Sequence, residues 1–429
     1  TYTGDIANLD THFDEIVPIF ENKELNQLMF ASFKGMASDI GKVFFHLGKH
    51  LFGLESGDKN TWWCWNETEG IWQQGITQAR LFCNDILAEK YIHAQRFFRE
   101  NTPDRELGKR RDIKLDSIVK RLRDRDVNTI LDFAADRFKV YIPNFENLLD
   151  SNKDLLNFKG FVYDLSTSSL RSVKSSDMVS RSCGYVLPTE IDLNIRKEIQ
   201  LFFSSILQND EDINYVLTWI ASCLDGHNRE EIYTIMTGSG RNGKGVLRDL
   251  IAFALGGISE NEKPTASYFH SIQASMLTHE RPSSSSPCPD LLNLRGKRFV
   301  VGTEPEKGAT INIGFLKMLT GNDPISGRWC HGNAELHFLP QHSIALQCNA
   351  IPALDAEDQA IWLRSRIVEF PFVFTEKPSS KNEKRIDNEL KRKVATWGPQ
   401  FMLLLLKYYS IYKKEGLKST KAVLKMTNK

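Results

Sequence analysis

The stretch TGSGRNGKGVLRDL, residues 237–250, places glycine and lysine at the spacing of a phosphate-binding loop, with four residues between the first glycine and a Gly-Lys pair. Glycines let the backbone curl so that successive N–H groups point at phosphate oxygens, and a helix beginning near the lysine adds its positive end. The lysine would reach the β and γ phosphates as a point charge. The predicted phosphate-binding residues are Gly238, Ser239, Gly240, Arg241, Asn242, Gly243, Lys244, Gly245 and Val246.

Gly245 occupies the position where Ser or Thr usually supplies a hydroxyl to magnesium. Magnesium keeps several waters in most sites, so a carboxylate from a neighbouring strand can support it instead. The segment RFVVGTEPEKG offers Glu304 and Glu306 directly after an apolar run. We therefore predict Glu304 as the magnesium ligand, with either glutamate able to orient the attacking water. The alternative interpretation is an ordinary exposed acidic turn.

The elements around the loop follow the order that a phosphate site requires. IYTIM (232–236) predicts a buried strand, and KGVLRDLIAFAL (244–255) predicts a helix with one apolar stripe. Further apolar runs at 299–301, 343–348 and 366–370 are bounded by turn or charged residues. This alternation of predicted strands and helices indicates an α/β fold, with a parallel sheet and crossover helices.

The N-terminal part has a different character. TWWCWNETEGIWQQ predicts a hairpin, in which core packing of Trp65 and Trp72 is favoured over base stacking. RELGKRRDIKLDSIVKRLRDR (105–125) favours a solvated helix face, with a nucleic-acid contact as the alternative. We predict three regions: a mainly helical, collar-like region (1–200), an α/β region that contains the phosphate loop (201–375) and a small C-terminal helical lid (376–429).

Composition limits the function classes. The chain has 55 Lys+Arg against 54 Asp+Glu, so a uniformly basic coat is excluded and nucleic-acid binding must come from a local patch or a lined channel. Seven scattered cysteines indicate a reducing compartment rather than a disulfide framework. The longest strongly apolar run, FMLLLL (401–406), is far below the ~20 residues of a membrane span. Because the first residue is Thr1, we expect a piece of a longer protein.

Five ordered motifs resemble one family. GSGRNGKG, LRGKRFVVGTEPEKG, FLKMLTGNDPISGRW, SIALQCNAIPAL and DQAIWLRSRIVEFPF occur in the order of the superfamily 3 helicases, closest to the primase-helicase branch of phages, plasmids and large DNA viruses. LLNFKGFVYDLSTSSLRSV (155–173) is similar to the segment that precedes the motor in that branch. The resemblance implies an AAA+-like motor that uses ATP and Mg²⁺, assembles as a ring, usually a homo-hexamer, and moves on single-stranded DNA or at a replication fork.

The resemblance also implies roles for single residues. Lys244 is the Walker A lysine, and Glu304 with Glu306 occupies the Walker B region, where the identity of the catalytic glutamate stays open. Asn349 matches the polar sensor beside the γ-phosphate, with a turn cap as its alternative role. Arg364 and Arg366 match the arginines from which a finger reaches a neighbour's nucleotide; ion pairs within a strand are the alternative.

The segment LKMLTGNDPISGRWCHGNAELHF resembles the DNA-engaging hairpin region of the family. Its candidates for phosphate contacts are Lys317, Arg328 and His331, which would position a strand without reading its sequence. Because G-N-D-P is a strong turn signal, a purely structural hairpin is the alternative. In a hexamer each candidate is presented six times, so a neutral chain can still build a basic channel.

The sequence thus predicts a ring-forming DNA helicase or translocase. The alternatives are a nucleotide-gated DNA-binding ring with little hydrolysis, because of Gly245, and another ring ATPase such as a remodelling or packaging motor. No primase acidic triad or zinc-ligand spacing is evident, so a priming activity is expected on an N-terminal portion of a longer protein. The expected location is the cytoplasm, or a viral replication site if the protein is viral, with the nucleus also open.

Overall fold

The computed structural model describes residues 19–57, 60–124, 126–257, 266–278, 286–303, 310–330, 335–352 and 359–427. The chain divides into two compact units. One comprises Thr1–Asn66 and Trp72–Leu149, and the other comprises Glu67–Ile71 and Asp150–Lys429. We refer to them as the N-terminal unit and the C-terminal unit. The boundaries at residues 200 and 375 remain predictions about functional regions.

The N-terminal unit combines helices with a small sheet of strand order β1-β2-β3. Its strands are β1 (Phe52–Leu54), β2 (Trp62–Asn66) and β3 (Ile71–Gln74). Its helices are α1 (Lys23–Ser32), α2 (Ala37–Gly48), α3 (Thr77–Phe82), α4 (Ala88–Asn101), α5 (Arg105–Arg123), α6 (Val127–Tyr141) and α7 (Phe145–Leu148), with a π-helical turn at Cys83–Leu87 joining α3 to α4.

Aromatic side chains form the centre of this unit. Phe44 lies 5.3 Å from Phe52 and 5.8 Å from Trp62 between ring centroids, and Trp62 lies 5.4 Å from Phe138. Offset and edge-to-face pairs of this kind add to the free energy gained from burial alone. The predicted hairpin is confirmed. Trp72 is 3% exposed, as core packing requires, whereas Trp65 is only half-buried.

Within the basic segment, Arg105–Arg123 form α5, whose charged residues lie mostly on a solvated face as predicted. Asp104 caps the helix by accepting hydrogen bonds from the backbone N–H groups of Glu106 and Leu107. Leu115, Ile118, Val119 and Leu122 point into the core. Several of its basic side chains pair with acids of the same helix, for example Arg110 with Glu106 at 3.1 Å and Lys120 with Asp116 at 2.7 Å.

The C-terminal unit is built on a parallel five-stranded sheet of order β13-β7-β12-β9-β8. Its strands are β4 (Leu155–Phe158), β5 (Phe161–Asp164), β6 (Ser169–Ser172), β7 (Tyr233–Thr237), β8 (Phe269–Ile272), β9 (Phe299–Gly302), β10 (Ile325–Arg328), β11 (Glu335–Phe338), β12 (Ser343–Gln347), β13 (Ser365–Glu369), β14 (Val373–Thr375) and β15 (Glu383–Arg385). Its helices are α8 (Leu193–Ile206), α9 (Asp210–Ser222), α10 (Lys244–Ala254), α11 (Ser275–Thr278), α12 (Pro289–Leu292), α13 (Ile313–Thr320), α14 (Gln359–Arg364), α15 (Leu390–Glu415) and α16 (Lys421–Thr427).

Both faces of the sheet are covered, as a parallel sheet requires. On β7 the side chain of Met236 packs into a core with α8, α9, α10 and α15, whereas Tyr233 and Ile235 pack into a second core with α13. The predicted fold class is therefore confirmed: a strand–glycine loop–helix unit in a parallel sheet, with a helical N-terminal region and C-terminal helices. The runs at 299–301, 343–348 and 366–370 became β9, β12 and β13.

The C-terminal helices complete this unit. α15 runs so close to α10 that a Cβ on Gly398 would lie 2.9 Å from the Phe253 backbone, so only glycine fits there. α16 packs against the edge strand β13, where the Thr427 hydroxyl accepts a hydrogen bond from the Ile367 backbone N–H at 3.2 Å. Covering an edge strand in this way satisfies backbone groups that would otherwise be open to another chain.

The cysteines and the apolar helices agree with the composition of the chain. All seven cysteines are free thiols. None of the helices in the described ranges combines the length and apolarity needed to span a bilayer.

His342, directly before β12, is expected to make the C-terminal unit sensitive to acid. The residue is 1% exposed, and its burial lowers the pKa of its imidazole from 6.5 to about 4. The unfolded chain therefore binds a proton between these pH values that the folded chain does not bind. Stability falls as the pH drops through this window.

We expect the free energy of unfolding to fall by about 2 kcal/mol more in the wild type than in His342→Gln between pH 7.5 and pH 5. Urea unfolding at the two pH values measures this difference. His337→Gln is the matched control, because His337 is exposed. An equal pH dependence in the wild type and in His342→Gln would contradict the prediction.

Candidate nucleotide site

The predicted phosphate loop lies between β7 and α10, at the carboxyl edge of the parallel sheet. β7 ends at Thr237 and α10 begins at Lys244, so the helix N-terminus faces this edge. Gly238 has φ +135° and Gly243 has φ +88°, which side chains rarely tolerate. A Cβ on Gly238 would also overlap the Phe370 carbonyl oxygen. These two positions therefore require glycine.

Gly240 does not have the conformational role that the sequence suggested. Its φ is not positive, and a Cβ there would meet no atom within 4 Å. The left-handed residue in the middle of the loop is Arg241, with φ +58°. The turn is thus made by Gly238, Arg241 and Gly243.

The chain that follows β13 holds the loop in this conformation. The Phe370 backbone N–H donates to the Thr237 carbonyl at 2.9 Å, and the Phe374 N–H donates to the Arg241 carbonyl at 2.8 Å. The side chain of Asn242, 2% exposed, donates to the Phe370 carbonyl at 3.5 Å. We call Phe370–Thr375 the loop support. Sequence reasoning missed it, because its contacts are made by backbone groups distant along the chain.

Lys244 is 7% exposed and lies within a cluster of oxygens. Its Nζ donates to the carbonyl oxygens of Gly238 (2.5 Å) and Cys348 (3.0 Å), and lies 3.4 Å from Asn349 Oδ1. An ammonium group has three donors and no acceptor, so it suits this arrangement. The structure thus brings the predicted Walker A lysine and the predicted sensor asparagine together.

The strand order of the sheet explains why Lys244 and Asn349 lie close together. β12 lies next to β7, and the two strands are parallel, so their carboxyl ends share one edge. The Cys348 N–H donates to the Met236 carbonyl at 3.1 Å, which continues the ladder up to Asn349. Gln347, which sequence reasoning did not single out, donates from Nε2 to the Lys244 carbonyl at 2.8 Å.

The predicted acidic residues Glu304 and Glu306 lie outside the described residues, as does His331. The strand that leads to the two glutamates, β9, pairs in parallel with β12 and ends at Gly302. Its carboxyl end therefore lies at the same edge as Asn349. The magnesium role of Glu304 stays a prediction.

Another group of potential metal ligands lies at the opposite edge of the sheet. Asp154, Asp225 and His227 have candidate ligand atoms within 4.8 Å of one another. Asp225 already accepts hydrogen bonds from Arg229 Nε (2.9 Å) and the Tyr409 hydroxyl (3.2 Å). Because Asp225 precedes β7 while the phosphate loop follows it, this group cannot serve a metal at the phosphate loop.

Arg364 and Arg366 also lie near the amino edge, away from the phosphate loop of their own chain. Arg366 is opposite Thr234 in the β13–β7 register, and Arg364 precedes the strand. Glu369 pairs with Thr237, the residue after which the phosphate loop begins. At about 3.3 Å per residue, Arg364 lies about 16 Å from Glu369 along the strand direction.

The two arginines have different partners. Arg366 donates to Ser419 Oγ at 3.1 Å and to the Leu363 and Ser365 carbonyls. Arg364 forms an ion pair with Glu231. The structure does not bring either arginine to the phosphate loop.

The DNA-binding candidates lie on separate elements. Lys317 is on α13, and Arg328 ends β10, where it is opposite Glu335 of β11. The predicted turn at Gly321–Pro324 joins α13 to β10. Trp329, which directly follows β10, is 42% exposed, an exposure that the sequence pattern did not indicate.

Comparisons with known proteins point in one direction. Residues 46–208 match the family described as D5 N terminal like. The chain is 28% identical over 427 residues to a protein of Acanthamoeba polyphaga mimivirus named a "putative helicase", covering 95% of this chain and 43% of the relative. It is 32% identical over 253 residues to a protein of Invertebrate iridescent virus 3 with the same designation, covering 57% of this chain and 26% of the relative.

Among solved structures, the apo form of the NrS-1 C-terminal region aligns at 15% identity with a TM-score of 0.38, over 56% of this chain and 52% of that chain. A similarity at this level supports no functional conclusion. The family match and the viral relatives confirm the predicted resemblance to the primase-helicase branch of large DNA viruses. The chain spans less than half the length of these two viral relatives.

Two glycine substitutions are expected to have opposite effects on stability. Gly245 lies in the first turn of α10, is exposed, and has open space around an added Cβ. Gly245→Ala should raise the free energy of unfolding by up to about 1 kcal/mol, since alanine loses less backbone entropy. Gly238→Ala should lower it by roughly 1–3 kcal/mol through strain and overlap. Urea unfolding measures both, and destabilisation by Gly245→Ala would contradict the open geometry.

Proposed function

We propose that the chain is the motor of an ATP-dependent, ring-forming DNA helicase or translocase of the viral primase-helicase type. The observation that carries this proposal is the placement of Lys244 and Asn349. A lysine that begins the helix after a glycine loop lies 3.4 Å from a polar side chain just beyond the end of the adjacent strand. That is the arrangement expected of a γ-phosphate site with its sensor.

The chain's own groups suit a nucleoside triphosphate. Backbone N–H groups of the loop and the N-terminus of α10 favour negative charge at this edge of the sheet. Phosphate oxygens would replace the carbonyl oxygens of Gly238 and Cys348 as acceptors from Lys244. Asn349 would then hold and orient the attacking water beside the γ-phosphate.

Magnesium, when bound, neutralises charge on the phosphates. We propose Glu304 as its ligand from this chain, with Glu304 or Glu306 orienting water. Gly245 supplies no hydroxyl to the metal, so support from a carboxylate carries more weight here than in loops with Ser or Thr.

A ring would explain why the arginines lie far from the phosphate loop of their own chain. In a homo-hexamer, Arg364 or Arg366 of one subunit would reach the nucleotide of its neighbour. Lys317, Arg328 and His331 would face single-stranded DNA in a shared channel, where repetition makes a basic lining from a chain of formal charge +1. A priming activity on another portion of a longer protein remains a prediction of the resemblance.

A second candidate function rests on Gly245. With no hydroxyl for the metal, the loop could bind nucleotide without appreciable turnover and act as a nucleotide-gated DNA-binding ring. The phosphate cradle itself does not depend on this residue, because its donors are backbone groups and Lys244. We therefore favour the motor.

The deciding experiment measures phosphate release from ATP and Mg²⁺ by the full chain, with and without single-stranded DNA. We expect stimulation by DNA that Lys244→Ala abolishes, whereas Lys425→Ala, at an exposed lysine of α16, leaves it unchanged. Tight ATP binding without release would favour the nucleotide-gated ring. Release that DNA does not affect would favour another ring ATPase.

Gly245 allows a second test that isolates the metal. Both Gly245→Ser and Gly245→Ala place a Cβ in open space, but only serine adds a hydroxyl. We expect Gly245→Ser to lower the Mg²⁺ concentration for half-maximal ATP hydrolysis several-fold, and Gly245→Ala to leave it near the wild-type value. An equal shift in both variants would mean that helix stability, rather than metal ligation, is responsible.

A further inference from the structure

The arginine that matches the trans-acting finger is held by a carboxylate of its own chain. Arg364 Nη2 lies 2.9 Å from Glu231 Oε2, and the two side chains are 28% and 38% exposed. On its other side, Arg364 Nη1 lies 3.4 Å from the Lys317 carbonyl and 3.5 Å from Thr320 Oγ1. The guanidinium is therefore oriented from two directions by groups that precede β7 and groups at the end of α13.

Glu231 also contacts the turn that leads to the predicted DNA hairpin. Its Oε1 accepts a hydrogen bond from Asn322 Nδ2 at 2.8 Å, and Asn322 lies in the turn between α13 and β10. Asn228, from the same loop as Glu231, donates to the Thr320 and Gly321 carbonyls at 2.8 and 3.2 Å. One loop thus contacts both the arginine and the base of the hairpin.

The backbone of this loop is strained at Glu231. Its φ is +49°, and Asn228 has φ +47°. Asparagine tolerates the left-handed region, but glutamate rarely adopts it. Such a conformation persists only where surrounding contacts hold it, and it occurs most often at functional sites.

A cavity of about 620 Å³ opens beside these groups. Glu231, Lys317, Asn322, Asp323 and Arg364 contribute to its lining. Arg364 therefore borders an open space that a group from outside the chain can enter, while its ion pair fixes the position of the guanidinium.

We propose that Glu231 is the positioning residue of Arg364. It holds the guanidinium at the rim of the cavity in the orientation from which it meets the phosphates of a neighbouring subunit's nucleotide, and through Asn322 it ties that orientation to the base of the DNA hairpin. This inference rests on the proposed function. It assigns to Glu231 a role in turnover and none in binding ATP within its own subunit.

A purely structural ion pair predicts a different result. Partly exposed ion pairs contribute little to stability, so loss of Glu231 should hardly change the melting temperature. Catalytic groups that are misplaced by about 1 Å can lose about 100-fold in rate. A large loss of turnover with little loss of stability therefore separates positioning from structural support.

The chain offers a matched control in the preceding residue. Glu230 lies in the same loop, but its carboxylate accepts a hydrogen bond from the Tyr412 hydroxyl at 2.8 Å instead of contacting Arg364. Glu230→Ala and Glu231→Ala each remove one acid from this loop. Glu231→Gln keeps the length and a hydrogen-bond acceptor without the charge.

The experiment measures kcat and KM for ATP in the presence of single-stranded DNA for these variants, for Arg364→Ala and for the double variant Glu231→Ala/Arg364→Ala. We expect Glu231→Ala to lower kcat roughly 10- to 100-fold with KM changed less than about twofold. Glu231→Gln should fall between it and the wild type, and Glu230→Ala should match the wild type. The double variant should be no slower than Arg364→Ala, because both changes remove the same contribution.

Four results would overturn the role of Glu231: losses that multiply in the double variant, an equal loss in Glu230→Ala, an unchanged kcat in Glu231→Ala, or a higher kcat in Glu231→Ala. The last result would identify the ion pair as one that sequesters Arg364. If the wild type hydrolyses ATP and Glu231→Ala does so with the same kcat, only the positioning role is overturned. A wild-type chain without hydrolysis overturns the proposed function and this role together.

Discussion

The buried ammonium group of Lys244 is the constraint on which the site depends. A charge that is 7% exposed is costly unless hydrogen-bond acceptors surround it. Its acceptors come from Gly238 in the loop and from Cys348 and Asn349 at the end of β12. They meet only because β12 lies beside β7 and runs parallel to it. The strand order of the sheet thus determines which hydrogen-bond acceptors surround Lys244.

The same edge of the sheet shows which contacts hold the phosphate loop in its conformation. Glycine tolerates the positive φ angles at positions 238 and 243, but the positive φ of Arg241 would be costly in an unsupported loop. The loop support, Phe370–Thr375, supplies backbone donors to the carbonyls of Thr237 and Arg241. Since the loop support follows β13, the conformation of the glycine loop depends on a strand more than 120 residues further along the chain. Pre-organisation of this kind reduces the ordering cost of binding an anion.

The local features of the site were predictable from the sequence, whereas the contacts between distant segments were not. Apolar runs and glycine spacing identified β7, the loop and α10, because these depend on periodicity and on backbone sterics. Motif order pointed to Asn349, which lies beside Lys244, and its sensor role stays a prediction. The loop support and Gln347 act through hydrogen bonds across the fold, which leave no local pattern. The place of Arg241 in the turn, expected of Gly240, likewise follows from tertiary contacts.

The two arginines lie at the opposite edge of the sheet, which limits the nucleotide sites that they can reach. In parallel strands, residues that precede β7 and β13 lie together, and residues that follow them lie together at the other edge. Glu231 and Arg364 precede these strands, whereas the phosphate loop and its support follow them. One chain therefore cannot bring Arg364 to its own Lys244 without breaking the sheet. In the proposed ring, the nucleotide that Arg364 serves would therefore belong to another copy of the chain, and the ion pair with Glu231 would keep the guanidinium ordered for that contact.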